Sequence, residues 1–131
     1  MNVRLTLAVL ATLIGLSGAA QADMLGGGPV YGGPTSAGGQ ITCRIFNYGL
    51  SSVFISTRQI FTNTNVSIVP TSDTCNVALQ PTKYCAFTAT IPGNLAFSCR
   101  VVATGTDVKL SGVAEVKNSS STILNSVPLS K

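Results

Sequence analysis

Asp107-Val108-Lys109-Leu110-Ser111-Gly112-Val113-Ala114-Glu115-Val116-Lys117 is the stretch whose reading decides the fold. Val108, Leu110, Gly112, Ala114 and Val116 face one way, and Asp107, Lys109, Ser111, Glu115 and Lys117 face the other. Alternation at period two is the pattern of a strand with one buried and one wet face, whereas an amphipathic helix repeats every 3.6 residues.

The same period extends outward in both directions. Upstream, Leu95, Phe97, Cys99 and Val101 alternate with Ala96, Ser98 and Arg100. Cys85, Phe87, Ala89 and Ile91 precede them, separated by the turn Pro92-Gly93-Asn94. Cys75, Val77 and Leu79 form a shorter alternation that ends at Pro81, and residues 66–69 form a short strand that ends at Pro70. Val53, Ile55 and Thr57 alternate with Phe54, Ser56 and Arg58, and Ile41, Cys43 and Ile45 with Thr42, Arg44 and Phe46. Downstream, residues 118–121 turn the chain. Residues 123–129 then form an edge strand, because Pro128 cannot donate to a ladder. Short strands with frequent turn signals and many β-branched residues predict an all-β fold: a single antiparallel, immunoglobulin-like β-sandwich of about seven strands.

The first 40 residues do not follow this pattern. Arg4 and an apolar run over residues 5–16 precede small residues and Ala20-Gln21-Ala22, the layout of a signal peptide cleaved after Ala22. The run is shorter than the ~20 residues a spanning helix needs, so the reading is export, with no transmembrane segment in the mature chain. Residues 23–40 contain seven glycines and two prolines among eighteen residues. Glycine is entropically costly to order, so this stretch reads as a flexible leader. The expected organisation is therefore 1–22 signal peptide, 23–40 Gly/Pro-rich leader, and 41–131 disulfide-stapled domain.

Four cysteines in a small exported chain imply two disulfides, with three possible pairings. Cys43 and Cys99 lie on the apolar faces of their strands. Cys75 and Cys85 lie close together around Pro81. Strand phase therefore favours Cys43–Cys99 with Cys75–Cys85. The cysteines lack C-x-x-C spacing, which argues against a metal site.

Function classes are bounded mainly by absence. The chain contains no histidine, which removes Ser-His-Asp and Cys-His catalysis and the commonest metal ligand. Beyond residue 22 the carboxylates are Asp23, Asp73, Asp107 and Glu115, and nothing in their spacing brings two onto one bond. The reading is a non-enzyme with no catalytic residue, metal or cofactor. The cations Arg44, Arg58, Lys83, Arg100, Lys109, Lys117 and Lys131 are scattered without interleaved aromatics, so nucleic acid is not an expected partner.

Four segments carry a resemblance: Cys43-Arg-Ile-Phe-Asn-Tyr-Gly49, residues 75–85, Ser98-Cys-Arg100, and the leader repeat Gly27-Gly-Pro-Val-Tyr-Gly-Gly-Pro34. With them the chain resembles an uncharacterised family of small exported proteobacterial proteins with an immunoglobulin-like β-sandwich. Its Asn-x-Gly turn and its Leu79-Gln80-Pro81 stretch between cysteines are also similar to bacterial immunoglobulin-like accessory domains, where glycine often follows the proline that Thr82 follows here. The resemblance implies a fold and no activity.

The functional expectation is an exported binding or structural module of the periplasm or cell exterior, with an envelope protein or polysaccharide as partner. The alternative is a subunit of a fibre or surface assembly using the leader as a donor strand. A secreted inhibitor or toxin, or an enzyme, ranks lower.

Overall fold

The computed structural model describes residues 21–131, so the signal-peptide reading of residues 1–22 falls almost wholly outside the described residues. Nine strands are present: β1 Gln21–Tyr31, β2 Gln40–Asn47, β3 Phe54–Thr62, β4 Ser67–Ile68, β5 Ser72–Asp73, β6 Tyr84–Thr90, β7 Ala96–Gly105, β8 Leu110–Lys117 and β9 Ile123–Leu129. They form two antiparallel sheets, β1-β7-β3-β4 and β5-β6-β2-β8-β9, packed as a β-sandwich. Among the described residues no helix is long and apolar enough to cross a membrane.

The alternation read from sequence accounts for the core. Ile41, Cys43 and Ile45 of β2 and Phe97, Cys99, Val101 and Ala103 of β7 point inward and are buried. Ala114 and Val116 of β8 and Phe87 and Ala89 of β6 meet them. Each such large side chain contributes about 1.5–3 kcal/mol relative to an exposed one. In β3 the phase changes. A register shift between Ile55 and Thr57 lets Ile55 and Ile60 both face inward although they differ in parity.

Two disulfides brace the body. Cys43 of β2 is joined to Cys99 of β7 across the two sheets, with Cα atoms 6.0 Å apart. Cys75 is joined to Cys85 at the start of β6, with Cα atoms 5.0 Å apart. Arg58 of β3 adds a polar link between the sheets, because its Nε donates to Asp73 Oδ2 of β5 at 2.6 Å. Asp73 Oδ1 in turn accepts from the Cys75 backbone N–H.

The fold departs from the sequence reading in three places. Among the described residues the strand count is nine rather than about seven. The segment expected to pair around residues 75–79 contributes β5 just before it, and Val77 is exposed. The third departure is the largest: residues 23–40 are not a leader outside the domain. Their first part is most of β1, paired with β7 from Gln21↔Gly105 to Tyr31↔Ala96. Pro34–Ser36 then forms one helical turn, and Ser36 is buried with its hydroxyl donating to Gly33 O. The physical reason is that β7 presents an otherwise unpaired edge. Main-chain hydrogen bonds along that edge, with Leu25 and Val30 in the core, offset the entropy that glycine makes costly.

This pairing follows from the route of the chain. After β7 the polypeptide does not return beside it as a hairpin. It crosses to the other sheet, where β8 pairs with β2 and β9 with β8. The place next to β7 is left for the first strand. On its far side β1 reaches β9's end, where Gly26 and Ser130 exchange two backbone hydrogen bonds of 2.9 Å. β1 thus closes the seam between the sheets.

Candidate groove along the first strand

The composition of β1 determines the surface above it. Leu25 and Val30 turn inward, while Met24, Gly26 and Gly28 lie on the outer side of the strand, and Met24 is exposed. Two successive outer positions without side chains leave a shallow trough. Its volume is about 650 Å³, and its lining includes Met24, Gly26, Gly28, Phe61, Ser98, Arg100, Pro128 and Lys131.

The glycines have different reasons to be there. A Cβ on Gly27 would come within 2.5 Å of Pro128 O and 2.6 Å of Leu129 Cδ2, so packing against β9 demands glycine. Gly28 has φ +127 and sits under Phe97 O. A Cβ on Gly26 would meet only Cys99 O at 3.8 Å, so the trough is open there and a side chain could fill it.

One wall carries charge. Arg100 is opposite Gly26 in the β1–β7 register, and its guanidinium lies 5.7 Å from the centroid of the Phe61 ring. That distance is within cation–π range, so the ring steadies the cation without neutralising it. Arg44, Arg58, Lys109, Lys117 and Lys131 each have a carboxylate partner, and among the described residues Arg100 and Lys83 have none. Gln59, opposite Arg100 on β3, has an enclosed Oε1 without a hydrogen-bond partner. The opposite wall ends at Lys131, whose ammonium pairs with Asp23 of β1. The hydrogen bond that this ammonium donates to the Asp23 carboxylate holds the Lys131 pKa above the ordinary lysine value. The trough therefore presents one uncompensated positive charge, an apolar rim at Met24, Phe61 and Pro128, and a backbone floor.

A second hollow of about 360 Å³ lies on the outer face of the five-stranded sheet, between Phe46, Tyr84, Val113 and Arg44. Phe46 and Tyr84 are register partners, exposed by 39% and 69%. Arg44 there is already held by Glu115 at 3.1 Å, so this face is apolar rather than cationic.

The cysteines singled out from the sequence act as braces: all four are in disulfides, and only Cys99 borders the trough. Among the described residues no three His, Cys, Asp or Glu side chains gather as a metal site. Sequence reasoning missed the trough. It reads Arg100 as one of several scattered cations and the glycines as a flexible leader. The available signal was strand phase, which puts Arg100 on the outer face of its strand. Comparison with protein-family models, with curated proteins and with solved structures found no match.

Proposed function

We propose that this chain is an exported, non-enzymatic binding module of the periplasm or cell exterior, and that the trough along β1 takes an extended acidic polysaccharide. The carrying observation is Arg100, a cation without a carboxylate partner, held against Phe61 beside a floor that lacks side chains. A sugar chain carrying carboxylates gains a charge-assisted hydrogen bond from the guanidinium, and its apolar faces lie against Phe61 and Met24. A rigid, disulfide-braced scaffold limits the entropy lost on binding. Export is supported by two disulfides, which persist in oxidising compartments. Membership of the exported proteobacterial family belongs to the same reading and rests on the motifs quoted above.

Calorimetric titration with a uronic-acid oligosaccharide and with a neutral oligosaccharide of equal length tests the reading. The acidic oligomer binds more tightly, and Arg100→Gln reduces its affinity about tenfold while leaving the thermal melt unchanged. Equal binding of both sugars, or an unchanged affinity in the variant, overturns it. So does capture of an envelope protein, and no glycan, by the same trough.

A further inference from the structure

We infer that β1 is an exchangeable strand, and that a second copy of this chain can place its own β1 along β7 in the same groove. This goes beyond the glycan reading, since it concerns how copies join rather than what the trough holds.

Four observations carry it. First, both disulfides lie outside β1. Cys43–Cys99 and Cys75–Cys85 pin the body from β2 to β7, whereas β1 is attached only by its own continuation into β2. Second, β1 comes before every other described strand and none of them is threaded through it, so its departure displaces no other described strand. Third, its side-chain anchorage is small: Leu25 and Val30 are its buried large residues, and three consecutive glycines lie between them. The rest of its hold is the β7 ladder, the Gly26–Ser130 bridge, the Asp23–Lys131 ion pair and the Asn125 hydrogen bond to Tyr31 O, all of which an identical strand reproduces. Fourth, a hinge is at hand. Gly33 has φ +78 with nothing within 4 Å of its Cβ position, and it sits just before residues that stay anchored. Beyond it, Gly38 N–H donates to Ile91 O and Ile91 N–H to Gly39 O, so the link can open at Gly33 while β2 keeps its place.

An empty groove exposes the β7 edge and the core around Phe97 and Val101, which favours rapid refilling by any β1 present. The native β1 competes at high effective concentration, so exchange grows with protein concentration. Reciprocal exchange gives a dimer and one-way exchange a linear series; both use the same contacts.

The test mixes two variants of the chain that each add one cysteine, Met24→Cys and Val102→Cys. These positions are register partners between β1 and β7, and the native protein adds no free thiol. A 24–102 disulfide between different chains, in excess of the control, places β1 of one copy in the groove of the other. The control pair is Met24→Cys with Thr104→Cys, because Thr104 is opposite Ala22 instead. Peptide mapping after mild oxidation should find the 24–102 link at least tenfold above the control, rising with concentration. Equal yields in both pairs indicate collision, and they overturn the inference. It is also overturned if chains carrying both substitutions close internally while the mixed single variants never link. That double variant shows that the groove forms and that the geometry permits the bond.

Discussion

Asn47 ends β2 with its side chain fully buried and fully used. Its Nδ2 donates to Ser51 O at 2.9 Å and to Leu79 O at 3.0 Å, and its Oδ1 accepts from Gly49 N at 2.9 Å. Asn47→Ala removes three hydrogen bonds and leaves the buried Gly49 N–H without its acceptor, while Leu79 O keeps the Val53 N–H, and urea denaturation should show a loss on the order of 1–3 kcal/mol. Two neighbouring glycines give a sharper contrast. Gly27→Ala drives a methyl into Pro128 O and Leu129 and should destabilise by about 1–3 kcal/mol. Gly26→Ala meets open space, so its melt should stay within about 0.5 kcal/mol of the native protein. The Asn47-Tyr48-Gly49 turn was legible in the sequence as a turn. The burial of its asparagine was not, because the Leu79 carbonyl that closes over it is supplied by a separate loop. The difference between Gly26 and Gly27 was likewise hidden, since it depends on where β9 ends.

At the scale of elements, the periodic strands could be read directly. Cys43 and Cys99 share a phase with Ile41, Ile45, Phe97 and Val101, and all are buried. β1 could not be read this way, since its glycines supply no alternation and its pairing partner lies some seventy positions away. The β3 bulge and the two-residue strands β4 and β5 also escape a period-two reading. The bridges permit a ranked prediction. The Cys43–Cys99 bridge spans 56 residues and the Cys75–Cys85 bridge spans 10. In the chain-entropy account the longer loop contributes roughly 4 kcal/mol and the shorter roughly 3. Replacing Cys43 and Cys99 by Ala should therefore lower the melting temperature more than replacing Cys75 and Cys85. Thermal melts of the two double variants check the order, and the reverse order would show that the short staple holds an otherwise loose corner.

For the whole molecule, the decisive feature is that the first described strand completes the sheet that β8 and β9 leave open. Without β1 along β7 there is no glycine floor opposite Arg100, no seam between β1 and β9, and no native strand pairing for another copy to reproduce. The proposed glycan site and the proposed exchange both depend on that placement. The most direct measurement is amide hydrogen exchange on the native chain at low concentration, read residue by residue over β1. The β1 amides that donate to the β7 ladder, and Gly26, which donates to Ser130, should exchange at least a hundredfold more slowly than an unstructured peptide of the same sequence. Exchange of these amides at the peptide's rate, with β2 and β7 protected, would make residues 23–31 a slack leader and contradict the account.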